Sequence, residues 1–144
     1  MKLKILSVGR VRDKNLAKIC QKYTKRINHY INFEDILIKD SNKQKESLRI
    51  LKYLKSDKGF HIAMSEDGEY VNSNGLALLL KARSEKITFI IGGPEGLSEE
   101  VKEAASMTLS LSPLTFTHEM AKTFLLEQIY RGLSIIHNRQ YHKS

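Results

Sequence analysis

Apolar and polar positions alternate along the chain in two rhythms, which take turns over ten segments. Lys2–Val8 is mostly apolar and short, as a buried strand is. Asp13–Tyr30 repeats apolar residues at helical spacing (Leu16, Ile19, Tyr23, Ile27) between many lysines. Phe33–Ile38 predicts a strand and Asn42–Lys55 a helix with Leu48, Leu51 and Leu54 inward. Phe60–Met64 predicts a third strand, ended by a polar turn over Ser65, Glu66, Asp67, Gly68 and Glu69. A helix follows over Asn74–Ala82 with Ser73 as its cap, then a strand at Lys86–Ile91 and a short helix at Glu99–Ala105. Met107–Leu111 is the last strand, and Thr117–His137 a long helix capped by Thr117.

Strands alternating with helices predict an α/β fold: a mostly parallel sheet with helices on both faces. A length of 144 residues suits one domain, spanning 1–144. Ligands in such sheets bind beyond the carboxyl ends of the strands. The loops after Met64, Ile91 and Leu111 are therefore the places to look.

Charge narrows the partners. Lysine and arginine total 24 against 16 acidic residues, a net charge of +8, which suits a polyanion and nucleic acid first. No apolar run reaches a membrane span, and the apolar start is too short for a signal peptide, so the chain is expected in the cytoplasm. Cys20 is the only cysteine, which excludes an internal disulfide and a cysteine-based metal site. On an apolar helix face it reads as a small core filler.

Candidate chemistry gathers in the second half. Ile90-Ile91-Gly92-Gly93-Pro94-Glu95-Gly96-Leu97 is a buried strand running into a tight glycine loop. Its spacing is neither a dinucleotide fingerprint nor a P-loop. Glu95, Glu99 and Glu100 oppose a phosphate there and favour a neutral or cationic ligand; an ordinary β–α turn remains open. A side chain at Gly92 is expected to fill ligand space. Leu109–Met120 joins a strand to a helix through hydroxyls, Pro113 and the apolar Leu111, Leu114 and Phe116, either as walls for a heterocycle or as a plain connection. His118 reads as a polar residue at a helix start. On the long helix, Leu125, Ile129, Leu133 and Ile136 form a stripe for the chain's own sheet or for a second subunit. Glu127 and Arg131 are either a solvated ion pair or a pair whose arginine faces an RNA phosphate. The terminal Tyr141-His142-Lys143 is either frayed or a nucleotide contact.

Together, the glycine loop, Leu109–His118, Leu126-Glu127-Gln128-Ile129-Tyr130-Arg131, the terminal Tyr141-His142-Lys143 and the opening Lys2–Arg10 resemble one family: the ribosomal RNA large subunit methyltransferase H family, small SPOUT enzymes that methylate N3 of a pseudouridine in 23S rRNA. The resemblance covers nearly the whole chain and is weakest around Asn42–Lys55. It implies a C-terminal trefoil knot and a homodimer whose site is completed by the second subunit. S-adenosylmethionine (SAM) would be held at Met64, Gly92, Leu111, Ser112, Pro113, Leu114, Thr115 and Phe116, with the terminal residues near the reacting atoms. SAM brings its own electrophile, so no metal is expected. His142 is the candidate base, Tyr141 a contact to the target base, and Arg131 or Lys143 a stabiliser of the deprotonated ring. The competing readings are a non-catalytic RNA- or ribosome-binding protein and a flavodoxin-like nucleotide binder.

Overall fold

The computed structural model describes residues 1–83 and 85–143. Its elements, in chain order, are β1 (Lys2–Val8), α1 (Lys14–Asn28), β2 (Asn32–Ile38), α2 (Lys43–Ser56), β3 (Phe60–Tyr70), α3 (Ser73–Ala82), β4 (Ile87–Ile91), α4 (Glu99–Ala104), β5 (Met107–Ser110) and α5 (His118–Ile136). The strands lie in the order β2-β1-β4-β3-β5, and every pairing is parallel. Each therefore ends on the same side, which brings the loops after β1, β3, β4 and β5 together.

Alternation along β1 divides the core in two. Leu3 and Ile5 face α1, α3 and α5, whose Cys20, Ile27, Leu76, Leu80, Leu125, Ile129 and Leu133 complete one layer. Leu6 and Val8 face α2 and α4 through Ile50, Leu54 and Val101. The central β4 is buried on both sides along its whole length, as a covered parallel strand must be.

Several expectations need correction. The polar stretch after Met64 is no strand end. Its backbone stays extended to Tyr70, while Met64 and Glu69 both oppose Leu109, so residues 65–68 leave the ladder as a bulge. Gly68 is needed there, because an added Cβ would lie 2.7 Å from the backbone of Thr108 and Leu109. The cap of α3 is Asn72, whose side chain accepts from the Gly75 amide; Ser73 lies inside the helix and donates to Gln128. Ile19 is 39% exposed, and Cys20, one position on, takes the core place. Leu48 is 62% exposed, and Ile50 packs inward instead. Of the α5 stripe, Leu125, Ile129 and Leu133 are consumed by the chain's own core, so that stripe is closed to a second subunit. Thr117 caps α5 as expected, accepting from the Met120 amide. Among the described residues, no helix is long and apolar enough to cross a membrane.

Candidate active site

Three loops at the carboxyl end of the sheet enclose a cleft of about 200 Å³. The glycine loop forms its floor. Gly96 donates from its amide to the Gly93 carbonyl at 2.9 Å and takes φ +77°, which closes residues 93–96 into a tight turn. An added Cβ at Gly92 would lie 2.5 Å from the carbonyl carbon of Gly96. This corrects the expected reason for Gly92: its missing side chain makes room for the loop's own backbone, not for a ligand. At Gly96 nothing lies within 4 Å of an added Cβ, and this glycine lines the open cleft. Beneath the loop, a Cβ on Gly93 would come within 3.1 Å of the buried Glu46 carboxylate of α2, which the Ser41 amide holds at 2.8 Å.

Leu111, Ser112, Leu114, Thr115 and Phe116 form the second wall, and Ala121 and His118 of α5 close it. The hydroxyls of this loop shape it internally. Ser110 Oγ donates to the Ser112 carbonyl at 2.8 Å and accepts from the Ser112 amide at 3.1 Å, while Ser112 Oγ accepts from the Leu114 amide. Phe116 is fixed by a tilted contact with Phe124, 5.1 Å between centroids.

The β3 bulge supplies the third wall with Met64, Ser65 and Glu66. Lys102 of α4 pins it by pairing with Asp67 at 3.2 Å. Ser65 and Lys102 hydrogen-bond the Asp67 carboxylate and hold its pKa below the usual range. Seven of the eight residues expected to hold the cofactor line this cleft; Pro113 does not. Sequence reasoning missed Ser65, Glu66 and Ala121. The bulge was read as a turn, and an alanine in a helix carries no local signal.

The cleft has apolar sides and two exposed carboxylates at its rim, Glu66 and Glu95. His118 is the only basic side chain among its lining residues. Such a lining suits a neutral heterocycle and a cationic centre and repels a phosphate chain.

The other expected residues gather elsewhere. Arg131 binds Glu127 through two nitrogens, at 2.8 and 3.3 Å. Tyr141 donates to the same carboxylate at 2.6 Å, lies 3.0 Å from the Tyr23 hydroxyl, and packs edge-on against Tyr130. Burial, with the hydrogen bonds to Glu127 and Tyr23, pushes the Tyr141 phenol above its ordinary pKa, so it stays neutral. Tyr141 is thus tied down and not frayed. Arg131 donates to His142 Nδ1 at 3.2 Å. Because a guanidinium only donates, Nδ1 must hold a lone pair, and the neutral ring carries its proton on Nε2. Within one chain this cluster is separate from the cleft. Arg131 stands ten positions after Ala121 on α5, roughly 15 Å along the helix.

Residues 1–142 match a family model described as a predicted SPOUT methyltransferase. The chain belongs to the SPOUT methyltransferase family. The ribosomal RNA large subunit methyltransferase H of Caldicellulosiruptor bescii is 41% identical, over 98% of this chain and 99% of that protein. Solved structures of other proteins share the fold at lower identity. A tRNA methyltransferase of Aquifex aeolicus has a TM-score of 0.60 at 17% identity, over 91% of this chain and 70% of that one. A methyltransferase of Legionella pneumophila, solved with its bound cofactor SAM, has a TM-score of 0.50 at 14% identity, over 90% of this chain and 65% of that one. The cleft and the terminal cluster are the places where this SPOUT chain concentrates unusual chemistry.

Proposed function

We propose that this protein methylates ribosomal RNA of the large subunit, at N3 of a pseudouridine in 23S rRNA, with SAM as methyl donor. The observation that carries the reading is the cleft: three strand-end loops converge on apolar walls with a carboxylate rim, in a chain 41% identical to a large-subunit rRNA methyltransferase. Leu111, Leu114 and Phe116 would flank the adenine, the Gly92–Gly96 turn and Thr115 would approach the ribose, and Glu66 or Glu95 would face the sulfonium. When bound, SAM supplies an electrophilic methyl group. What remains for the protein is to hold the acceptor nitrogen in line and stabilise the ring as N3 loses its proton.

Arg131 and His142 fit that second task. Glu127 holds the guanidinium in place, and Arg131 in turn fixes a His142 ring that offers an Nε2–H. Both are N–H donors for an anionic pyrimidine. A base at Nε2 would require the proton on Nδ1, facing the Arg131 donors, so the pair is better suited to stabilising the anion than to accepting the proton. Tyr141 would position the target base beside them, and Lys143 lies next along the chain.

The roughly 15 Å between cleft and cluster motivates a homodimer in which the cluster of one copy serves the cleft of the other. With the Leu125 stripe used internally, the pairing surface would draw on the exposed apolar Val71 and Phe124, which line a hollow adjoining the cleft at Leu111 and Phe116, and on Leu114 of the cleft wall. The reading includes one domain over 1–144, a trefoil knot formed by the chain's last third, and work on ribosomes in the cytoplasm.

Calorimetry tests the cofactor directly. The wild type should bind SAM with measurable heat. Ala121→Phe, which fills the cleft from an α-helix, should abolish that heat while thermal melting stays unchanged. No heat with wild type at high protein and ligand concentration would overturn the reading in favour of a non-catalytic RNA binder.

A further inference from the structure

The chain's charge is unevenly placed. Residues 1–58 hold 16 of the 24 basic residues and 6 of the 16 acidic ones, net +10; residues 59–144 hold 8 and 10, net −2. The basic part comprises β1, the edge strand β2 and the two helices flanking β2, α1 and α2. Within it, α1 stands apart, because residues 14–28 contain five basic side chains and no carboxylate.

Lys14, Lys18, Lys22 and Lys25 are all exposed. At 3.6 residues per turn they share an arc of about 80°, opposite the buried Cys20 and Ile27. None is in an ion pair among the described residues, whereas Lys2, Arg12, Lys86, Lys102 and Arg131 are. Like charges four residues apart weaken a helix, and a polyanion docked along the row would relieve a repulsion that no ion pair among the described residues offsets.

The row also connects the two chemical places. At its start, the Asp13 amide donates to Glu119 in the first turn of α5, beside the cleft residue His118. At its far end, Tyr23 contacts the Tyr141 hydroxyl, and Arg26 lies over Tyr23 and Tyr130. The row is about 16 Å long. The other basic helix, α2, lies on the opposite face of the sheet; exposed Leu48 interrupts its charges, and Arg49 is turned to the Lys39 carbonyl.

We propose that the exposed lysine row of α1 is the surface on which the rRNA backbone docks, its phosphates tracking from the cleft end to the terminal cluster. This deepens the methyltransferase reading and rests on it.

The test measures binding of protein-free 23S rRNA across a salt series for wild type, Lys18→Gln/Lys22→Gln in α1, and Lys45→Gln/Lys52→Gln in α2. Each phosphate contact to single-stranded RNA contributes about 0.7 to the log–log salt slope. The α1 variant should lose affinity by tenfold or more, and its slope should shrink by about 1.4. Its SAM heat and thermal melting should match wild type, and on ribosomal subunits KM should rise while kcat at saturation holds. The α2 variant, with the same charge change, should keep the wild-type slope. An unchanged slope in the α1 variant overturns the proposal, as do equal losses in both variants, which would mean net charge alone. So does an α1 defect seen with ribosomal subunits but not with protein-free RNA, which would point to an acidic protein partner. Absence of methyl transfer by wild type would sink the functional reading, and the slope comparison would still judge the docking face.

Discussion

At the end of the sheet where the strands begin, Asp57 is buried and every neighbour turns toward it. Lys4 and Lys86 reach its carboxylate at 2.9 Å, and His61 and Thr88 at 3.0 Å; Lys4 also donates to the Tyr53 hydroxyl. At the end where the strands finish, Glu66 and Glu95 stand exposed around a cleft with no lysine or arginine in its lining. Asp57 is saturated with donors and holds the structure, as Asp67 and Glu46 do on a smaller scale behind the cleft walls; Glu66 and Glu95 at the rim are left available and can receive a ligand. Charge alone does not separate the two roles. What separates them is whether each group already has partners, because a buried unpaired charge is costly and an exposed one is cheap.

Removing a donor from the terminal cluster, which the account brings to the open end of the second copy, should have the largest effect. His142→Ala should lower methyl transfer by about 10²–10³-fold, the range for losing one donor to a developing anion. SAM heat and thermal melting should hold, since His142 is only half-buried. Full activity in this variant would remove the terminal cluster from the chemistry.

At the closed end, the effect should fall on stability. Asp57→Ala leaves two lysines facing each other and should cost about 3–5 kcal/mol by urea unfolding at pH 7. Burial alone would raise the Asp57 pKa, but the hydrogen bonds from Lys86, Lys4, Thr88 and His61 hold it well below the carboxylate range. A carboxyl depressed on folding contributes stability that is present above its unfolded pKa of about 3.9 and is lost as pH falls toward the folded value. The gap between wild type and variant should therefore narrow below about pH 4. A constant gap through acid would mean that the network does not titrate as described.

The same contrast explains what the sequence made legible. All ten elements, the parallel order of the fold and the three cleft loops followed from periodicity and the strand-end rule, because those depend on local spacing. The Asp57 network was illegible: its members come from positions 4, 53, 57, 61, 86 and 88, and only the sheet register brings them together. Smaller misses have local causes. Asn72 and Ser73 are both good caps, and backbone geometry chooses between them. Ile19 and Cys20 sit about 100° apart on α1, so a one-residue error in the stripe exchanges surface for core. The α5 stripe was visible, but periodicity cannot say whether a sheet or a second copy covers it. Gly92 lines the cleft, but the atoms that exclude its Cβ belong to a residue four positions later, a contact that local spacing does not show.

The central claim is that cleft and terminal cluster form one site only when two copies meet. A mixed dimer tests it most directly: one copy carries Ala121→Phe, and the other carries His142→Ala. If the site is shared, both lesions fall in one composite site, the other stays whole, and about half the wild-type methyl transfer to 23S rRNA survives, with a dimeric mass in sedimentation. If each copy builds its own site, both sites are damaged, and activity falls to the residual level of the two parent variants. That result, or full activity from a monomer, would contradict the account.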